Sequence, residues 1–526
     1  MAEGPKTEGS GAPGLGLVSH LARQSALLIS SGLFSYVGAF ALNVVLARAL
    51  GARGFGVWVV AYSIGQTLSA LGLFGADWIV LRQGSYYQGV GDQLRLRRTI
   101  HLALALAGVV LMALGGILIG LAPLIGKAVF HSTPMIPLLR LAGAMGPVVG
   151  LGQIMLFGTQ AYKDMRDVAL IRNMAAPLVR LALVAVALLV ASSQFSAFLG
   201  VFIAEVTITV MATLALQRRI PLFGPTAPIE KGSLILFAVP VWGKRLTEVA
   251  RSQLFPVLLG SLASLSASAV FVAGKRIALA PAGIINSMNQ VFSPMGSDLF
   301  LRGRRQELID LFKSITKWGF VLGFPLFCLQ VIFPRDILAL FGSQFGTGAS
   351  ALVFLAVGML SQFGTGPVTI TLIVIGRPRL ALLDYVIVIC AEIGLAIWLI
   401  PSHGVLGAAI ANMTGNILNN ALPLAQIWYI LRFHPYRINY WKPIVAGIAA
   451  VGLAKALTSA AALHAGVVTA VVATATIGLC YPTLLLLLGL SDQDKAALGG
   501  LLRGTARSGK QPPGPSDPSM GVNAEE

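Results

Sequence analysis

Apolar residues along this chain gather into long runs separated by short polar stretches, with little sign of the two-residue alternation of strands. Fourteen runs follow one another, over residues 24–46, 55–80, 99–122, 134–158, 169–191, 196–216, 233–255, 264–286, 312–333, 347–375, 380–400, 404–431, 441–462 and 466–490. About 20 apolar residues in a helix cross the hydrocarbon core of a bilayer. The pattern therefore predicts an all-α polytopic membrane protein of about 14 transmembrane helices. Residues 1–23 read as a disordered leader without the apolar core and cleavage site of a removable signal peptide. Residues 503–526, rich in Gly, Pro and Ser, read as a disordered tail.

Charge between the runs tests this count, because cytoplasmic loops collect Lys and Arg. The N-terminus, the even-numbered loops and the tail hold 26 basic residues, Arg172 among them; the odd-numbered loops hold 4, namely Arg48, Arg53, Lys127 and Arg335. A single miscounted span would scramble that asymmetry beyond it. Both termini are thus expected on the cytoplasmic side.

The halves also resemble each other when slid by about 213 residues. GVWVVAYSI from Gly56 lies over AVFVAGKRI from Ala269, and LAGAM from Leu141 over LAVGM from Leu355. A repeat of six helices returns the chain to the same side, so two six-helix lobes, 24–216 and 233–431, should be related by a pseudo-two-fold along the membrane normal. A cytoplasmic linker, 217–232, joins them, and the helices within 441–490 fall outside the repeat.

Composition agrees: 56% hydrophobic and 11% charged residues, with a mean hydropathy of +0.81, exclude a soluble domain of 526 residues. The net charge of +18 would suit nucleic acid, but it is dispersed between apolar spans and reports topology instead. Three cysteines inside apolar runs and six isolated histidines give no metal site, and no cofactor is expected.

The stretch 233–286 breaks the pattern. Its two spans carry Lys244, Arg245, Glu248, Arg251, Lys275 and Arg276, and five cations facing lipid would cost over about 12 kcal/mol. They must face protein or water. Lys244, Glu248 and Arg251 share one stripe at i, i+4 and i+7, which points to a cationic cavity for an anion. Snorkelling to the headgroups is the competing reading, and it suits Arg251 better than Lys244. Elsewhere, Arg180 and Glu205 match in depth as an internal ion pair. Glu392 either carries a coupling proton or pairs with an arginine. Asn412, Asn416, Asn419 and Asn420 share a broad face that could bind sugar hydroxyls or join helices. Asp77 and Asp384, near span ends, are expected to be solvated or paired with an arginine. Pro240, Pro256 and Pro281 are candidate hinges or kinks.

LARALGARGFGVWVVAYSIGQTLSALGLFGADWIVLR, ILALFGSQFGTGASALVFLAVGML, the GRPRL turn from Gly376 and IPSHGVLGAAIA from Ile400 together resemble, in that order, the Wzx-type polysaccharide flippases of the MOP superfamily. The resemblance covers about residues 20–440. It implies alternating-access transport of undecaprenyl-diphosphate-linked oligosaccharide across the bilayer of the bacterial inner membrane, without covalent chemistry, alongside polysaccharide polymerase or assembly proteins. Lys244, Arg245, Arg251, Lys275 and Arg276 would then meet the diphosphate, with Arg180, Glu205, Glu248, Glu392, Asn412 and Asn416 as cavity or coupling residues. A lipid II flippase is the nearest rival. A MATE-type antiporter fits less well, because residues 24–46 contain no Asp or Glu. A glycosyltransferase, polymerase or ligase would need an external catalytic loop, and outward loops such as SSQFS at 192–196 leave no room for one.

Overall fold

The computed structural model describes residues 14–162, 165–229, 232–433, 440–462 and 466–489. The chain is helical nearly throughout, and among the described residues ten helices are long and apolar enough to cross a membrane. Two of these ten, α1 (Gly14–Leu73) and α14 (Pro378–Leu431), are each two limbs joined at a non-helical glycine, Gly51 and Gly404. Both glycines have positive φ, 66° and 53°, which a side chain would strain. Dividing them gives twelve spans. The remaining two are the charged stretch, α7 (Gly232–Leu262) and α8 (Leu265–Ala278) running on into α9 (Ala282–Leu301). The polytopic all-α expectation holds.

Several boundaries differ from the sequence reading. Helix α1 begins at Gly14, so the second half of the expected leader is helical; residues 1–13 and the tail 503–526 lie outside the described residues. Of the three candidate hinges only Pro281 stands at a break, capping the start of α9, which carries the eighth span on to Leu301. Pro240 and Pro256 sit within continuous α7. The tenth span is divided at Gly366 (φ 76°) into α12 (Ala349–Thr365) and α13 (Val368–Val374).

The first lobe packs α1 around α3 (Gln93–Leu124), α4 (Met135–Gln160), α5 (Ala176–Val190) and α6 (Gln194–Gln217), with α2 (Ala76–Gly89) against α3 and α4. A second group forms from α7, α8, α12, α13 and α14, with α9, α10 (Arg305–Ile332) and the short α11 (Pro334–Leu338) alongside. Chain breaks recur at the repeat offset: Ser264, which caps α8 through its side chain, follows Gly51 by 213 positions, and Gly404 follows the extended Ala191 by 213. The linker is strapped to α3, where Arg97 Nε and Nη1 donate to the carbonyls of Pro221 (2.7 Å) and Pro225 (2.6 Å) and His101 Nε2 donates to that of Leu222 (2.6 Å). The last pair, α15 (Trp441–Ala460) and α16 (Val467–Leu487), packs on α10, where Tyr481 Oη donates to the Val321 carbonyl at 2.7 Å.

The groups meet where α1 crosses α7 and α8. At that crossing Gly56 lies so close to α8 that a Cβ would stand 1.8 Å from the Leu265 carbonyl oxygen. Backbone cannot yield as a side-chain tip can. We expect Gly56→Ala to force the helices apart and lower stability by about 1–3 kcal/mol or more, read as a lower melting temperature of the purified protein; an unchanged melt would mean that the crossing is looser than this.

Candidate functional site

Three cavities lie end to end between and within the two groups of helices. The middle one, about 320 Å³, sits between α1, α5 and α6 on one side and α7 and α8 on the other, and is lined by Tyr62, Arg180, Gln253, Lys275 and Arg276 among others. A second of about 290 Å³ reaches into the first group, lined by Arg172, Arg180, Glu205 and Arg245. The third, also about 290 Å³, enters the second group between α7, α8, α12 and α14, lined by Glu248, Arg251, Lys275, Gln362 and the four asparagines of α14. Ser35, Arg180 and Gln253 belong to the first two walls, and Ser252, Lys275 and Leu279 join the middle cavity to the third. One polar chamber therefore crosses the interface, with basic residues along its length.

The five cations expected as one cluster stand in different settings. Arg245 Nη1 donates to Asp77 Oδ2 at 2.9 Å, and Asp77 is fully buried. Of the two expectations for Asp77 this is the paired one, and it sets the Arg245 guanidinium against a carboxylate where it lines the cavity of the first group. Arg251 grips Glu392 with two nitrogens, Nε at 2.9 Å and Nη2 at 3.3 Å, and reaches Asn416 Oδ1 (3.2 Å) and Asn419 Oδ1 (3.4 Å). It does not snorkel: its partner carboxylate is only 3% exposed. Lys275 Nζ donates to the Arg251 carbonyl at 3.1 Å and stands over the rings of Phe255 and Phe271 at 5.7 and 5.9 Å. Arg276 lines the middle cavity, and its own carbonyl accepts from Tyr36 Oη. Among the described residues neither Lys275 nor Arg276 is ion-paired. The Lys244 side chain lies outside the described residues.

Arg180 and Glu205 form a pair, Nε to Oε1 at 2.8 Å, with the carboxylate buried. The Arg180 guanidinium still borders two cavities. The asparagine face is a network: Asn412 Nδ2 donates to Glu392 Oε1 (3.5 Å), Asn416 Nδ2 to Asn412 Oδ1 (3.2 Å), and Asn420 Nδ2 to the Asn416 carbonyl (2.8 Å). It ties α14 together while keeping Asn419 and Gln362 on the cavity wall.

Sequence reasoning missed Arg172, counted as a loop charge. It lies on a π-helical turn, Val168–Ala175, that leads into α5, and it lines the cavity with Arg180 and Arg245. Its spacing from Arg180, eight residues and so about two turns, held the signal.

Cations facing a chamber between two packed groups can compensate a dianionic ligand: Arg offers paired donors to phosphate oxygens and Lys a point charge. The fold is that of the MOP superfamily transporters. The lipid II flippase MurJ in an inward closed conformation superposes with a TM-score of 0.67 at 13% identity, over 91% of this chain and all of that one. A multidrug resistance MATE family transporter of the MOP superfamily gives 0.53 at 14% identity over 77% of this chain and 95% of that one. The MurJ architecture thus accounts for more of the chain. A MOP superfamily transporter from Pyrococcus furiosus, described as having a binding pocket of reverse polarity, gives 0.55 at 13% identity over 78% of this chain and 95% of that one. The chain belongs to the polysaccharide biosynthesis protein family, whose model matches residues 21–300. It is also 26% identical over 423 residues to the probable flippase AglR of Haloferax volcanii, covering 78% of this chain and 84% of that one. The resemblance read from the sequence therefore holds: this is a multi-pass membrane protein of the polysaccharide biosynthesis protein family with the fold of the MOP superfamily.

Proposed function

We propose that the protein is a flippase carrying undecaprenyl-diphosphate-linked oligosaccharide from the cytoplasmic to the periplasmic leaflet of a bacterial inner membrane, for surface polysaccharide such as lipopolysaccharide or exopolysaccharide. The observation that carries this is the middle cavity, where Lys275 and Arg276 face open space without a carboxylate and Arg180 borders the same volume. Two like charges held together repel unless an anion joins them, so they favour a ligand of diphosphate type. Arg172 extends the basic wall into the neighbouring cavity, and the asparagine-lined cavity beyond Lys275 offers room for sugar. The polyprenyl tail stays in lipid; only the head needs the chamber. Neutralising the cations lets the lobes close around it and reopen on the far side. Both termini would be cytoplasmic, and polymerase or assembly proteins would receive the product.

A lipid II flippase is the second reading, favoured by the 91% coverage of this chain in the MurJ superposition. One experiment separates the two. A deletion strain is assayed for surface polymer, and labelled lipid-linked intermediates are assigned to a membrane face. Loss of polymer with intermediates held on the cytoplasmic face supports the proposal; normal polymer with arrested peptidoglycan synthesis moves the substrate to lipid II.

A further inference from the structure

Asp384 is an anomaly in this fold. It lies seven residues into α14, in the half-hairpin before Gly404, and is 3% exposed. Its partner is the side chain of Gln426 on the other limb, whose Nε2 donates to Asp384 Oδ1 at 2.7 Å. The opposite ends of the same two groups, Asp384 Oδ2 and Gln426 Oε1, are buried without any hydrogen-bond partner. As an ionised carboxylate, Asp384 would leave two acceptors orphaned and a full charge uncompensated.

Among the described residues no cation is ion-paired with it. Helix α14 packs against α7, α8, α12 and α13, and Arg305 of α10 reaches its far end, where Nη2 donates to the Leu431 carbonyl at 2.6 Å. Of these α12 and α13 carry no charged residue. On α7, Arg245 is held by Asp77 and Arg251 by Glu392, and Glu248 is itself an anion; Lys244 is outside the described side chains. On α8, Lys275 and Arg276 line the middle cavity. On α14 itself, Arg377 and Arg379 are exposed at the start, Tyr385 points from the next position, Arg432 caps the end, and Glu392 stands two turns on, about 12 Å along the axis. Ala381 and Ile427, each a turn or less from the pair, belong to an apolar cluster with Leu372 and Leu431.

One proton removes every difficulty. A protonated carboxyl is a donor as well as an acceptor, and facing a primary amide it closes a ring of two hydrogen bonds, the amide N–H to one carboxyl oxygen and the carboxyl O–H to the amide oxygen. Both orphaned acceptors are then satisfied and the charge is gone. We propose that Asp384 is a proton-binding site, occupied in this conformation, whose proton is exchanged with water when the two limbs of α14 part during transport. Glu392, on the same face two turns away, is the contrast: it is ion-paired with Arg251. The seam of one hairpin thus carries one carboxyl set by a fixed cation and one set by an exchangeable one.

The exchange during transport rests on the transporter reading; occupancy by a proton does not. Purified full-length protein is treated with dicyclohexylcarbodiimide, which attacks protonated carboxyls in apolar surroundings, and labelled peptides are identified by mass spectrometry. Asp384 is expected to be modified and Glu392 spared, with labelling lost in Asp384→Asn and kept in Asp384→Glu. In proteoliposomes carrying polyprenyl-diphosphate glycan, a one-unit pH gradient should change the wild-type rate by up to about tenfold, and Asp384→Asn should erase that response. Unlabelled Asp384 in folded wild-type protein overturns the proposal, as does a gradient response that survives in Asp384→Asn. Should the vesicles carry no polyprenyl-diphosphate substrate at all, the transport reading fails while the labelling still decides whether Asp384 holds a proton.

Discussion

Replacing Lys275 or Arg276 with Gln should cut translocation of lipid-linked glycan by about 10- to 100-fold each while leaving the amount and melting temperature of the protein unchanged. The size follows from losing one hydrogen bond to a charged phosphate oxygen, about 1.5–3 kcal/mol, at about 1.4 kcal/mol per factor of ten. The second half of the expectation is what distinguishes these two from their neighbours. Neither has a carboxylate partner among the described residues, so its removal strands no buried anion; Lys275 gives up only its bond to the Arg251 carbonyl and its ring contacts. The removal also relieves repulsion, since Lys275, Arg276 and Arg180 border one cavity. The relief and the lost contacts offset each other in folding, whereas transport loses its ligand contact. Initial rates in proteoliposomes together with thermal melts check both halves, and a normal rate in both variants would remove the middle cavity from the substrate path. Arg172→Gln tests the same logic one cavity away, where a smaller loss is expected because the residue sits farther from the crossing of the groups.

The fold was largely written in hydropathy. Fourteen apolar runs and a 26 to 4 charge asymmetry need only one-dimensional information, and the repeat offset of 213 residues reappears as matched chain breaks at Gly51 and Ser264. The site was legible only as a list of misplaced charges. Which cation is free depends on partners far away in sequence: Arg245 meets Asp77 across 168 residues and Arg251 meets Glu392 across 141. Hydropathy cannot supply those pairings, so the cations read as one cluster, whereas the structure separates the ion-paired Arg245 and Arg251 from Lys275 and Arg276, which have no carboxylate partner among the described residues. Asp384 failed in the opposite sense. Its place near arginines at a span end suggested a solvated or paired anion, yet helical periodicity puts Asp384, Val388 and Glu392 on one buried face. Depth along a helix and direction around it are separate coordinates, and only the first was used.

The paired cations should behave as the reverse of Lys275 and Arg276. In each pair the carboxylate is the deeper member: Asp77 is 0% exposed against 24% for Arg245, and Glu392 is 3% against 21% for Arg251. Deleting the arginine strands an anion with no route to water, whereas deleting the carboxylate leaves a long cation that can turn toward the adjoining cavity. Arg245→Gln and Arg251→Gln should therefore each cost about 3–5 kcal/mol, a large share of a total stability of about 5–15 kcal/mol, and little folded protein should reach the membrane. Asp77→Asn and Glu392→Gln should cost clearly less. The doubles, Asp77→Asn with Arg245→Gln and Glu392→Gln with Arg251→Gln, should recover most of the lost stability, because a neutral pair leaves no charge behind. Of the two, the Arg251 double should recover less, since Arg251 also holds Asn416 and Asn419 and its loss loosens the asparagine network of α14. Melts of the four corners of each cycle measure this directly. Doubles no better than the arginine singles would mean that the guanidinium groups act through packing, and that charge compensation is not what sets them apart from Lys275 and Arg276.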